Sequence, residues 1–301
     1  MKELIILQVT LFALVAVGFF AKRVHMVGRE GQKNLTDLVI NIVLPCNIIT
    51  SFMIDPDAGL YKEMLAVLLI SLGIQIFCVI LGHFIFRGQN EDHRRSLRYA
   101  TICSNAGFLG NPIAEGVYGE LGLMYASIYL IPQRIMMWSE GIAIYSGEKD
   151  IKGTIKKVLT HPCVVSCAAG IILMVTGIKL PDVILQPIQT IGRCTTALSM
   201  LVVGMILGEI NLKSILDKTV VEFTILRLVL IPLVVYLICL LLPISRTVLD
   251  VSVLLAAMPA GTTTSMLAAK YNRDPAFATK LVIFSTLCSI PAIMIWSIIV
   301  R

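Results

Sequence analysis

The sequence predicts an all-α membrane protein of ten transmembrane helices, arranged as two inverted five-helix repeats in which helices four and nine are broken. Three observations carry this: an apolar composition, ten apolar runs whose loops alternate in charge, and a polar, glycine- and proline-bearing interruption in the fourth and ninth runs. Of the 301 residues, 57% are hydrophobic and 15% charged, and the mean hydropathy is +0.87. A soluble domain is about half apolar and about a quarter charged. A bilayer core needs about 20 apolar residues per helix, so ten helices take about 200 residues and leave the rest for loops. That balance excludes a soluble enzyme, a nucleic-acid binder and a secreted disulfide scaffold. The eight cysteines fall almost entirely inside apolar stretches and the four histidines are scattered, which speaks against a metal site or redox chemistry.

The runs lie at about 4–21, 35–53, 63–86, 97–118, 122–145, 162–178, 184–208, 219–242, 248–269 and 275–300. The first is as long as a full span and is closed by Lys22 and Arg23 rather than by a cleavage site, so it reads as a helix and not as a signal peptide. Odd-numbered loops carry Lys22, Arg23, Arg29 and Lys33, then Arg87, Arg94, Arg95 and Arg98, then Lys149, Lys152, Lys156 and Lys157, then Lys213 and Lys218, then Lys270 and Arg273. Even-numbered loops hold only Lys62, Lys179 and Arg246. The positive-inside rule then places the odd loops in the cytoplasm and both termini outside the cell (inner) membrane. The longest loop, 147–161, separates five spans (1–146) from five (162–301). An odd number per half means that duplicated halves enter the membrane in opposite orientations, the construction of many secondary transporters.

A binding site at mid-membrane needs backbone groups released from a helix beside a cavity, and Gly and Pro permit that release. The fourth run contains Asn105, Gly107, Gly110, Asn111 and Pro112; the ninth contains Pro259, Gly261, Thr262, Thr263, Thr264 and Ser265. Small and hydroxyl residues also serve plain helix packing, but two such stretches at equivalent places in both halves favour a crossing, with Pro112, Pro259 and Gly261 as its hinges. Half-helix N-termini at that level offer partial positive charge to an anion.

Other polar residues at membrane depth are costly and carry either function or local pairing. Arg134, after Pro132 and Gln133, either binds a carboxylate bidentately, or pairs with an internal acid such as Glu140 or Glu115, or snorkels. Arg193 and Arg227 lie nearer span ends and are read as snorkelling. Asn47 follows Pro45 and faces either a cavity or its neighbours. Glu115 is a candidate coupling carboxylate or a solvated helix-end acid. Protons, sodium or the membrane potential alone remain open as driving forces, with sodium reachable by the carbonyls and hydroxyls of 262–265.

At these residues the sequence resembles the auxin efflux carrier family, bacterial type, related to the plant PIN carriers. The resemblance is carried by Leu44-Pro45, by Ser104-Asn105 with Gly107-Phe108, Gly110, Pro112-Ile113 and Tyr118-Gly119, by Ala257-Met258-Pro259 with Leu267-Ala268 and Tyr271, by His161-Pro162, and by Gly204 with Leu207-Gly208. Gln133 and Trp138 are similar to a Gln-x-x-x-x-Trp pattern of the plant carriers. The resemblance implies a scaffold domain and a transport domain, a fold similar to the bile-acid/sodium symporters and sodium/proton antiporters, and an elevator-like movement. The plant members' second crossing proline is absent near Thr264, as is their large central loop, so a small mono- or dicarboxylate such as malonate or malate is expected before an auxin-like acid. The expected substrate-binding set is Asn47, Asn105, Gly110, Asn111, Pro112, Gln133, Arg134, Gly261, Thr262, Thr263 and Thr264, with no metal and no cofactor. The expected partners are the organic anion and the lipid bilayer, with a homodimer left open. A passive channel or membrane sensor is the alternative, and an integral-membrane enzyme the remote one: the spans hold no nucleophile with a base, paired acids or histidine pair.

Overall fold

A computed structural model describes residues 2–54, 58–146, 151–208 and 217–300; the loop cations Lys149 and Lys213 lie outside the described residues. Helices account for the described chain, and extended pairing is confined to an isolated antiparallel bridge between Ser104 and Ala260. Five helical stretches among the described residues are long and apolar enough to cross a bilayer: Arg29–Ser51, Gly59–Ile85, Asp182–Gly208, Lys218–Leu240 and Pro275–Ile299.

In chain order the helices are α1 (Lys2–Arg23), α2 (Arg29–Leu38), α3 (Leu44–Ser51), α4 (Ala58–Ile85), α5 (Glu91–Ile102), α6 (Asn111–Trp138), α7 (Glu140–Ser146), α8 (Ile151–Leu159), α9 (Pro162–Thr176), α10 (Asp182–Arg193), α11 (Thr195–Gly208), α12 (Lys218–Ile225), α13 (Ile231–Leu240), α14 (Arg246–Ala256), α15 (Thr263–Lys270) and α16 (Pro275–Ile299). Asn90, Ser245 and Asp274 cap α5, α14 and α16 by accepting the amides of His93, Val248 and Phe277, and Asp217 caps α12 through Thr219. Helix α8 lies in what the sequence suggests is a loop. Ile151, Ile155, Val158 and Leu159 recur at helical spacing, a pattern the intervening lysines mask when charge alone is read.

Proline shapes three of the spans in one way. The π-turns Val39–Val43, Ala106–Gly110 and Leu226–Leu230 run directly into Leu44-Pro45, Asn111-Pro112 and Ile231-Pro232. A proline ring inside a helix clashes with the carbonyl four residues back and gives it no donor. A turn widened to i→i+5 bonding absorbs the misfit without ending the helix.

The chain divides into two compact units, each drawing on both halves of the sequence. One comprises Met1–Met64, Phe108–Ile128 and Leu159–Ile210; the other Leu65–Gly107, Tyr129–Val158 and Asn211–Arg301. In the first, α1 and α11 pack backbone to backbone. A methyl on Gly18 would collide with the Leu201 carbonyl, and one on Gly204 with that of Val15, the close approach that small residues permit between membrane helices. In the second, α4 presents Leu65, Leu69, Leu72, Ile76 and Ile80 outward along one face, each more than two-fifths exposed, an apolar surface suited to lipid. Its interior is polar by comparison, and it holds the crossing.

Candidate functional site

Both interruptions expected from the sequence are present, and they meet. Helix α5 stops at Ile102 and Cys103 turns extended (φ −107°, ψ 99°). Helix α14 stops at Ala256, and regular helix resumes only at Thr263. The freed backbones run antiparallel: Asn105 N donates to Pro259 O at 2.8 Å, and Gly261 N donates to Cys103 O at 2.9 Å. Side chains close the remaining gaps. Gln133 Nε2 donates to Ser104 O at 2.8 Å while its Oε1 accepts from the Ser104 hydroxyl at 2.9 Å. Ala260 N donates to Ser285 Oγ at 3.1 Å. Gly261 has to be small, because a Cβ there would stand 3.0 Å from Cys103 O and 3.2 Å from Ser104 O.

The first interruption lies at residues 103–105, ahead of the 110–112 segment that the sequence suggests. Gly110 ends a π-turn, and Pro112 is the second residue of α6, directly after the widened turn that accommodates its missing N–H. Gly119 supplies a second bend within α6, at φ 64° and ψ −151°. That conformation is open to glycine and strained for other residues.

Arg227 corrects the sequence reading more strongly. It does not snorkel: it is 3% exposed. Its Nε donates to Met258 O at 2.9 Å and its Nη1 to Thr101 O at 3.2 Å. These carbonyls stand at the C-terminal ends of α14 and α5, where helices carry partial negative charge. Arg193, by contrast, is exposed as expected.

The N-terminal end of α15 is arranged differently. Thr262 occupies the N-cap but its side chain caps nothing. Thr263 Oγ1 accepts from the Tyr99 hydroxyl at 2.9 Å, and Thr264 O accepts from the Tyr145 hydroxyl at 3.1 Å. The Thr264 hydroxyl is fully buried and has no hydrogen-bond partner among the described residues; in the same unit Arg134 is 7% exposed and its Nη1 has none among them either. The acids expected to pair with Arg134 are engaged elsewhere: Glu140 with Arg98 at 3.3 Å, and Glu115 with Asn47 Nδ2 at 3.1 Å. Unmatched buried polar groups are rare in native proteins and call for an explanation.

Of the expected binding residues, Asn105, Gln133, Arg134, Gly261 and 262–264 therefore fall in the unit that holds the crossing. Asn47, Gly110, Asn111 and Pro112 fall in the other, as does the coupling candidate Glu115. There Asn111 is fully buried, with neither side-chain amide atom paired among the described residues. Sequence reading missed Arg227, Ser285, Tyr99 and Tyr145. Arg227 had a signal, an ionisable residue within the apolar run 219–242, but a hydroxyl such as Ser285 in α16 is too ordinary in a membrane helix to single out.

Comparison with known proteins agrees with this architecture. A membrane transport protein family matches residues 4–153 and 150–297. The chain is 27% identical over 303 residues to an uncharacterized transporter of Methanothermobacter thermautotrophicus, covering 96% of each. It is 26% identical over 292 residues to one of Methanocaldococcus jannaschii, covering 94% of each. The Escherichia coli transporter YfdV is 21% identical over 309 residues, covering 97% of this chain and 96% of YfdV. A multi-pass apolar chain with two interrupted helices paired across a buried arginine, matched by the family nearly from end to end, belongs to the membrane transport protein family, the auxin efflux carriers.

Proposed function

We propose that the protein is a secondary carrier of small organic anions, mono- or dicarboxylates of the malonate and malate kind. We further propose that it works by alternating access with an elevator-type movement in which the unit holding the crossing is the mobile body. One observation carries the anion reading. Helix α15 opens at the crossing with no side-chain cap, and its first turn holds the unpaired, buried Thr264 hydroxyl. Free amides and partial positive charge at a helix start suit a carboxylate. The unmatched Nη1 of Arg134 in the same unit supplies a full positive charge, fit for one oxygen of the anion. The ten-span inverted-repeat topology is supported by a local likeness. Gly119 and Asn272 each follow a tyrosine, between the fourth and fifth predicted spans of their halves, and both adopt positive φ, 64° and 50°. In this reading the odd loops face the cytoplasm and both termini lie outside.

The test is reconstitution into liposomes with radiolabelled malonate and malate, with and without sodium and proton gradients. Saturable uptake with counterflow is expected, and Asn105→Ala should depress it while the protein remains folded in the membrane. Flux that does not saturate and shows no counterflow would identify a channel and overturn the carrier reading. No flux of either acid from folded protein would overturn the substrate class.

A further inference from the structure

A guanidinium buried at 3% exposure in an apolar helix is costly unless something offsets its charge. The ion pairs of the same unit among the described residues occupy other groups: His93 with Asp274, Arg95 with Glu91, Arg98 with Glu140, Lys218 with Glu222, Arg246 with Asp250 and Arg273 with Asp92. The side chains of Cys78 and Tyr129 face Arg227, and it donates to two backbone carbonyls, Met258 O at 2.9 Å and Thr101 O at 3.2 Å, just past the last turn of α14 and within that of α5. Each such end carries roughly half a negative elementary charge. Two of them converging make about one unit, which a single cation balances. Two converging carbonyl ends of this kind would otherwise draw a cation from solution or repel one another.

We propose that Arg227 is a tethered cation: it holds the two C-terminal half-helix ends together without any ion from solution, and truncating it leaves a vacant monovalent-cation site that free guanidinium refills well and sodium less well. Arg227 is a positioning residue here, since it touches the crossing and not the α15 N-terminus where the anion is placed. It leaves the positive ends of the crossing uncommitted while its negative ends are satisfied from within. The crossing of the wild-type protein is accordingly indifferent to sodium. Only the transport arm of the test rests on the carrier reading.

The experiment compares purified wild type, Arg227→Ala, Arg227→Lys and Arg227→Gln by thermal unfolding in choline chloride, in sodium chloride and in choline chloride with millimolar guanidinium. Wild type should unfold at one temperature in all three. Arg227→Ala should lose several degrees in choline and regain most of them with guanidinium. Lysine, which keeps the charge, should stand above glutamine, which keeps donors without it. In liposomes, malate uptake by Arg227→Ala should rise with guanidinium and uptake by wild type should not. A wild-type midpoint that depends on sodium overturns the proposal, as does an alanine variant equal to wild type or deaf to guanidinium. If the alanine variant does not fold, glutamine matching or exceeding lysine overturns it and the reverse order supports it. Should wild type carry no malate, the unfolding results decide alone.

Discussion

The two interruptions meet as partners, yet they are finished differently. At residues 103–105 the freed backbone is closed by a side chain: Gln133 grips both the carbonyl and the hydroxyl of Ser104. At residues 257–262 only one amide, that of Ala260, is met by a side chain, Ser285, and the helix that follows begins uncapped with the Thr264 hydroxyl unmatched. An interruption in a membrane helix is thus not in itself a binding site. Under the proposed carrier reading, the second segment, whose released polar groups are left unanswered, is the end that takes the anion, and the first is its support.

The largest test of this contrast is Gln133→Leu, which strands the carbonyl and hydroxyl of Ser104 in a buried site and should cost about 2–4 kcal/mol. Ser285→Ala strands one amide and should cost about half as much, about 1–2 kcal/mol. Thermal or denaturant unfolding of both measures the difference, and equal costs would dissolve the contrast. Next in size, Gly261→Val drives side-chain atoms against the carbonyls of Cys103 and Ser104, an overpacking worth about 1–3 kcal/mol. Gly107→Ala, whose added methyl meets nothing within 4 Å, is the matched control from the first segment and should unfold close to wild type. Thr264→Val sharpens the comparison from the other side. It removes an unmet buried hydroxyl at nearly constant volume, so stability should hold or rise by about 1 kcal/mol while malate uptake falls. A packing residue would lose stability and keep transport.

The smallest effect lies outside the membrane and serves as a baseline. The Arg95 guanidinium bonds the exposed Glu91 carboxylate and holds it below the usual glutamate range. A lowered native pKa gives stability that is complete above the unfolded value near about 4.3 and is lost as pH falls through the native one. Wild type should therefore unfold slightly above Glu91→Gln at neutral pH, with the gap closing in acid. A gap that widened below pH 4 would reverse the sign.

The all-helical, multi-pass class was legible because hydropathy reports on a solvent that permits few alternatives. The interruptions were legible as well, since Pro259, Gly261 and the threonines beyond them have no reason to cluster in an unbroken span. Their positions were less so. The Asn111-Pro112 pair marks the segment but does not break it, because the π-turn ahead of it absorbs the proline and the chain opens earlier, at 103–105. Arg227 was misread because depth along one helix says nothing of which neighbouring helices end beside it. From sequence Arg134 admits three readings; in the structure its Nη1 has no partner among the described residues, and Glu140 and Glu115 are engaged elsewhere. No helical periodicity reports that Gln133 and Ser104 are partners across 29 residues of chain.

The widened turns ahead of Pro45 and Pro232, which have regular helix on both sides, have a consequence for phase. Each inserts one residue beyond the regular repeat, so everything downstream is rotated about its axis by roughly 100° relative to an uninterrupted α-helix. A helical wheel drawn straight through such a span assigns the wrong azimuth to half of its residues. Arg227 stands inside one of these slips. Replacing Pro232 with alanine and deleting one residue of that turn would restore the regular winding and swing the guanidinium or the outer half of its helix onto a new bearing. The prolines thus act as angular settings, fixing which side each half of the helix shows to its neighbours.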